Sequence, residues 1–183
     1  GPFAIRYPRG NGELIDWKNE PQILPIGKGR KLREGKDIAI LSIGAIGNNV
    51  ARAIDEAEKS GISVAHYDMV FLKPIDEELL HKVARKFNHI ITVEDGVVKG
   101  GLGSAVLEFL ADNNYTHVHV HRIGIPDEFI THGSVNELQQ IAGIDQQGIV
   151  NQINRVFTES REKEVRLPLP QNRITTVVQV QNR

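Results

Sequence analysis

Short apolar runs alternate with amphipathic segments along the middle of this chain, and this alternation limits the possible folds most. Residues 38–42 form an apolar run that ends at Gly44, which is typical of a strand buried on both faces. Predicted strands are 38–42, 63–67, 89–93 and 118–123. Five helices are predicted. The first carries Val50, Ile54 and Ala57 before Gly61, and the second begins at Pro74–Asp76. The others span 101–110, 134–142 and about 146–157. Strands separated by helices predict an α/β fold, with a mostly parallel sheet and helices on both faces.

Composition excludes several functional classes. The 183 residues are 40% hydrophobic and 25% charged with a net charge of −1, so one globular domain is expected and no strong field attracts nucleic acid or a membrane surface. Cysteine does not occur, which excludes disulfides, thiolate nucleophiles and cysteine zinc sites. No run reaches the roughly 18 apolar residues of a membrane helix. A cytoplasmic location is expected.

The two ends of the chain differ from this middle part. Residues 13–36 form a polar, glycine-containing lead-in, in which 23–29 is predicted to be one extended segment at a sheet edge. Residues 158–170 are charged and interrupted by proline, and 174–180 has strong strand propensity. We expect this strand to dock on the sheet or on a neighbouring chain. The predicted domains are 1–12 as the end of a preceding domain, 13–157, and an extension at 158–183.

Residues 5–12 are the first candidate site. Arg6 and Arg9 flank Tyr7 and Pro8 before two glycines. A guanidinium matches a phosphate or carboxylate with two hydrogen bonds, and proline lowers the entropy lost on binding. The segment therefore suggests an anion site at Arg9, with solvated charges beside an ordinary turn as the alternative.

A second candidate site follows the third predicted strand. Glu94, Asp95 and Gly96 are followed by the glycine-rich segment 99–104, which leads into a helix. Ligands of open parallel sheets bind where strands end and helices begin, so these glycines could expose backbone N–H groups to an anion. The spacing fits neither a P-loop nor Gly-x-Gly-x-x-Gly. Tight turn geometry or close packing of the helix explains the glycines equally well.

Histidines give two weaker candidates. His117, His119 and His121 alternate, so they share one face of a strand, while Val118 and Val120 are predicted to be buried. Steps of roughly 6.6 Å along a strand are too long for one ion, and we expect no metal site. His132 could act as a general base or pack beside the following helix, which Ser134 and Glu137 begin as a capping box.

Five segments, read in order, carry a resemblance to a known family. They are AIRYPRGN at 4–11, LPIGKG at 24–29, DMVFLKPID at 68–76, TVED at 92–95 with GGLGS at 100–104, and GIPDEFI at 124–130. Over about residues 2–157 the chain resembles the C-terminal part of the 1-deoxy-D-xylulose-5-phosphate synthases. These are thiamine-diphosphate enzymes of the transketolase superfamily.

The resemblance implies a parent transferase. It would use thiamine diphosphate and magnesium to condense pyruvate with glyceraldehyde 3-phosphate, with loss of CO2, on the route to isoprenoids, thiamine and pyridoxal. A homodimer is implied as well. The family's cofactor-binding and proton-transfer residues lie in upstream domains, so no catalytic, cofactor-binding or metal residue is expected here and the chain alone is predicted to be inactive. Arg9 resembles the arginine that binds the phosphate of the triose acceptor, with Arg6, Tyr7 and His132 as further candidates.

One departure from the family and two alternatives remain. Many relatives have arginine where this chain has Val70, so the role of that arginine is not carried over. The chain could instead be the C-terminal domain of an oxo-acid dehydrogenase β-chain or a transketolase. It could also be a free-standing interaction module with the same fold.

Overall fold

The computed structural model describes residues 1–5 and 23–166. For residues 163–166 it describes the backbone alone. The strands are β1 Arg30–Arg33, β2 Ile38–Ile43, β3 Val64–Asp68, β4 His89–Val97 and β5 His119–Ile125. The helices are α1 Gly47–Lys59, α2 Glu77–Lys86, α3 Leu102–Asp112, α4 Val135–Ala142 and α5 Gln146–Arg166. The predicted domain end at 6–12 and the predicted strand at 174–180 lie outside the described residues.

The strands form one mixed sheet in the order β1-β3-β2-β4-β5. The pairs β2–β3, β2–β4 and β4–β5 are parallel, and only β1 runs antiparallel, against β3. This arrangement confirms the predicted α/β class. Because the four parallel strands share a direction, their carboxyl ends meet at one edge of the sheet and their amino ends at the other.

Each face of the sheet carries its own apolar core. On one face, Ile38, Ile40, Ile91 and Val93 pack with buried side chains of α1 and α5. On the other, Ala39, Leu41 and Ile90 pack with side chains of α2 and α3. Alternate residues of β2 point to opposite faces, so burial on both sides explains why its sequence is continuously apolar.

The edge strand at the start of the domain lies later than predicted. β1 begins at Arg30, whereas Gly27 adopts φ +70° in a turn, closed by a 3.2 Å hydrogen bond from the Lys28 N–H to the Pro25 carbonyl. A Cβ on Gly27 would stand 2.8 Å from Pro74 Cγ. Gly27 therefore allows close packing on a neighbouring loop, and the prediction that 23–29 is one extended segment pairing at a sheet edge is wrong.

The last helix is longer than predicted. α5 continues beyond Phe157 to Arg166, although the charged composition after residue 157 suggested a break. The first proline after the helix begins is Pro168, and an exposed Arg155–Glu159 pair at 3.6 Å has the (i, i+4) spacing that supports a helix. Charged residues such as Glu159, Arg161 and Glu162 therefore belong to this helix.

Two predicted helix starts are confirmed by their caps. Asp76 caps α2 by accepting a 3.0 Å hydrogen bond from the Leu79 N–H, and its second oxygen accepts one of 2.9 Å from the Gly29 N–H. Ser134 and Glu137 form the capping box of α4. The Asp76 carboxylate thus ties the turn before β1 to the helix that follows β3.

Candidate functional site

A cleft of about 660 Å³ opens at the carboxyl edge of the sheet. Its walls are the loop after β2, the ends of β4 and β5, the segment 128–130 and one side of α4. Polar lining side chains are few: Asp95, Glu128 and Gln139. The topology thus places this cleft where ligands of parallel sheets usually bind.

The surface beside this cleft is unusually apolar. Phe129 is fully exposed, as are large parts of Val135 and Ile141. None of the residues of α4 is fully buried, whereas α1 and α2 each contribute several fully buried side chains to the core. A contiguous exposed apolar surface is typical of a protein interface.

The glycine-rich start of α3 is already occupied by a carboxylate of the same chain. Glu94 is buried at 5% exposure. Its two oxygens accept hydrogen bonds from the backbone N–H groups of Leu102, at 2.8 Å, and Gly103, at 3.0 Å. These first-turn N–H groups have no partner inside the helix, and a negative charge is favourable there. The predicted anion cradle therefore exists, but its anion is Glu94.

The glycines of this region make room for that carboxylate. A Cβ on Gly101 would lie 1.9 Å from Glu94 Oε2. One on Gly124 would lie 3.0 Å from Glu94 Cγ and 2.9 Å from the Gly96 carbonyl oxygen. The sequence left open whether these glycines expose N–H groups to an anion or allow tight turns and close packing of the helix. The structure favours close packing.

A buried serine–histidine pair lies under α1 and was missed by the sequence reasoning. Ser42 Oγ and His66 Nε2 are 2.8 Å apart, on adjacent strands, with exposures of only 1% and 2%. Burial lowers the pKa of His66 to about 4, against a smaller opposing effect of Asp68. The distance suits a nucleophile and its base, but no substrate could reach Ser42. The only signal in the sequence is a polar residue within each apolar strand.

Most of the residues singled out as a candidate anion site cannot be placed. Arg6, Tyr7 and Arg9 lie outside the described residues. His132 is exposed in the loop before α4 and makes no hydrogen bond or ion pair with the described part of the chain. Val70 follows β3 with φ +56°, and its N–H donates to Asp68 Oδ1 at 3.1 Å.

The alternating histidines lie at the opposite, amino edge of the sheet. His119 and His121 belong to β5, whereas His117 precedes it, and Val118 and Val120 are only partly buried, packing against the core on the other face. His89 lies against both, with ring centroids 5.2 Å from His119 and 5.7 Å from His121. Within residues 1–5 and 23–166, no group of three or more His, Asp or Glu side chains could hold a metal ion.

None of the helices in the described ranges is long and apolar enough to cross a membrane.

Known proteins similar to this chain agree with its fold. The chain is 63% identical over 155 residues to the 1-deoxy-D-xylulose-5-phosphate synthase of Parabacteroides distasonis, an alignment covering 85% of the chain and 24% of the relative. The synthase of Listeria innocua is 43% identical over 160 residues, which are 87% of the chain and 25% of the relative. The chain therefore spans about a quarter of the length of these curated relatives.

Solved structures give the same result. A split-gene transketolase, described as an inactive beta4 tetramer, superposes with a TM-score of 0.68 at 33% identity, over 74% of this chain and 44% of the other. Transketolase from Campylobacter jejuni superposes with a TM-score of 0.54 at 19% identity, over 75% and 20%, which shows the fold alone. The family model "Transketolase, C-terminal domain" matches residues 27–149. The chain belongs to the transketolase C-terminal domain family.

Proposed function

We propose that this chain is the C-terminal domain of a thiamine-diphosphate-dependent 1-deoxy-D-xylulose-5-phosphate synthase acting in the cytoplasm. The parent enzyme would condense pyruvate with glyceraldehyde 3-phosphate and release CO2. The observation that carries the proposal is the 63% identity to one such synthase over 85% of the chain. The five sequence segments in family order agree with it.

In this proposal the domain itself has two roles. Arg9 would bind the phosphate of the triose acceptor through a charge-assisted hydrogen bond, with Arg6, Tyr7 and His132 as further candidates. The apolar cleft at the carboxyl edge and the exposed apolar side chains of α4 would pack against the rest of the parent homodimer. An interface core is apolar with few charged side chains, which suits a lining with few polar groups.

The described residues do not fit thiamine diphosphate or magnesium. The one anion cradle at a helix start that the sequence suggested is filled by Glu94. No group of three potential metal ligands occurs in the described ranges. We therefore assign no cofactor contact and no chemical step to them, and infer that the cofactor binds elsewhere in the parent.

A second candidate function has one specific observation in its favour. The 33% identity to a split-gene transketolase raises the possibility of a subunit that associates with a separately encoded partner. The higher identity to the synthases favours the first proposal. A thiamine-diphosphate motif upstream in the same reading frame would exclude the second.

The test of the acceptor site is Arg9→Ala in the full-length parent. It should raise the KM for glyceraldehyde 3-phosphate much more than that for pyruvate. Acceptor efficiency should fall roughly 10- to 150-fold, because a hydrogen bond to a charged group contributes about 1.5–3 kcal/mol. Arg155→Ala, on the exposed side of α5, is the matched control. Equal effects on both substrates would show that Arg9 is structural.

The assignment of the chemistry to the rest of the parent has its own test. Calorimetry of the 183-residue chain with magnesium and thiamine diphosphate should show no saturable binding, and pyruvate should not be consumed. Binding in the micromolar range would contradict the assignment.

A further inference from the structure

A second cleft, of about 350 Å³, lies at the amino edge of the sheet, opposite the apolar cleft. It lies between the start of β2, the end of α2, the start of β5 and the later part of α5. Its lining includes the cationic side chains Lys36, Lys86 and Arg161 and the imidazoles of His89, His117 and His119. A pocket of this size suits a small molecule.

Positive charge in this cleft exceeds negative charge. Asp37 is the only acidic side chain in the lining, and one of its oxygens accepts a 2.7 Å hydrogen bond from the Ser63 N–H. Lys86 Nζ lies 3.6 Å from Glu34, an exposed ion pair longer than a hydrogen bond, and exposed pairs of this kind hold their partners weakly. Among the described lining residues there are thus three cationic side chains, of which Lys86 and Arg161 contact other side chains, and one carboxylate that already has a backbone partner.

Aromatic rings form the walls and fix two of these cations. Lys86 Nζ lies 5.0 Å from the centroid of Phe87, and the Arg161 guanidinium carbon lies 5.1 Å from that of Phe157. Such cation–π contacts hold the side chains near the cleft. The buried His89 ring contacts the exposed His119 ring at a centroid distance of 5.2 Å.

The ligand contacts must come from side chains. The backbone at the rim is internally paired: the His119 N–H donates to the Asn88 carbonyl at 2.8 Å, and the Asp37 N–H donates to the Ser63 carbonyl at 2.9 Å. Lysine, arginine and histidine supply only donors when charged. Several donors around one small cleft match the oxygens of a phosphate group.

We propose that this amino-edge cleft binds the phosphate group of a small phosphorylated molecule or free phosphate. The proposed site is built from residues just before β2, at the end of α2, around the start of β5 and in α5, and Arg9 is not among its described lining residues. The site also lies at the opposite edge of the sheet from Glu94, whose carboxylate fills the helix start there.

The test uses NMR on the 183-residue chain, following the ring signals of its seven histidines during titration. The probes are inorganic phosphate, pyrophosphate and glycerol phosphate at constant ionic strength, with chloride as the control. Saturable shifts should occur at His89, His117 and His119 and not at His81 or His132. Parallel shifts at all histidines, or equal shifts with chloride, would overturn the proposal.

Variants locate the binding. Lys36→Gln with Lys86→Gln should weaken phosphate binding by about tenfold, the loss expected when roughly 1.4 kcal/mol of interaction is removed. The matched control is Lys82→Gln with Lys99→Gln, two exposed lysines outside the cleft, which should bind as wild type does. His119→Gln provides a second cleft variant. Cleft variants that bind as tightly as the control would refute the site.

Two further measurements separate the possible sources of the signal. Arg9→Gln should leave the shifts at the cleft histidines unchanged. Loss of these shifts would show that phosphate binds at the Arg9 segment and would refute the proposal. Glycerol phosphate binding more tightly than inorganic phosphate would identify a phosphorylated metabolite as the ligand class. Equal affinities would identify free phosphate, and either result supports the cleft.

Discussion

Glu94 and Gly101 are in such close contact that a single methyl group could not be placed between them. A Cβ on Gly101 would stand 1.9 Å from Glu94 Oε2, whose carboxylate accepts the first N–H groups of α3. The contact joins β4 to the start of the helix that follows it. It also explains why a helix start that is suited to binding an anion is closed to external ligands.

Gly101→Ala should lower the free energy of unfolding by about 1–3 kcal/mol, because it overpacks a closed site and moves a buried carboxylate away from its donors. Urea unfolding measures the change. Gly133→Ala is the control, since its nearest neighbour is the Leu138 side chain at 3.2 Å, which has room to shift. Equal stability of the two variants would show that Glu94 adapts without cost.

Stability should depend on the protonation of His66. Its pKa is lowered in the folded chain to about 4 from 6.5, so the unfolded chain binds this proton more readily. The contribution of the neutral ring to the free energy of unfolding is complete above pH 6.5 and is lost as the pH falls towards 4. Between pH 7 and pH 5, the loss should be roughly 2 kcal/mol.

Urea unfolding of the wild type and of His66→Gln at both pH values isolates this effect from that of the carboxylates. The variant should lose less stability on acidification, and His132→Gln, an exposed control, should behave as wild type. A variant with the same pH dependence as wild type would exclude His66 as the cause.

Val70→Asn should raise the free energy of unfolding by about 1 kcal/mol. Val70 adopts φ +56°, a left-handed conformation that costs an L-residue roughly 1–2 kcal/mol and that asparagine tolerates better. Val70→Gly should stabilise less, since glycine also gains freedom in the unfolded chain. Thermal unfolding measures the stability of each variant, with Val135→Asn as an exposed control. A loss of stability in Val70→Asn would mean that side-chain packing of Val70 outweighs the backbone strain.

Truncation after Arg166 tests the predicted strand at 174–180 without shortening α5. An apolar strand at a free end tends to pair with a sheet edge, so the truncated chain should lose stability or change its association state. Sedimentation and thermal unfolding measure both. Values identical to those of the longer chain would make the strand prediction wrong.

Local signals in the sequence were enough for the elements and their class. The apolar run at 38–42, the helical spacing of Val50, Ile54 and Ala57 and the caps at Asp76 and Ser134 all predicted elements that the structure contains. These signals work because the apolar period and the capping hydrogen bonds depend on residues within one or two turns. The same signals failed before β1, where Gly27, which packs against Pro74, was predicted to be part of an extended segment.

The tertiary structure decided which residues meet. Glu94 precedes Leu102 by eight positions and Ser42 precedes His66 by twenty-four, and no periodic pattern relates either pair. The amino-edge cleft likewise draws its cations from the lead to β2, α2 and α5. The sequence by itself predicted the four parallel strands, the helices and the family, but not β1. Packing across the sheet decided which donors are occupied, which polar groups are buried and which charges share a cleft. Burial and electrostatic contact depend on distance in space and not on distance along the chain.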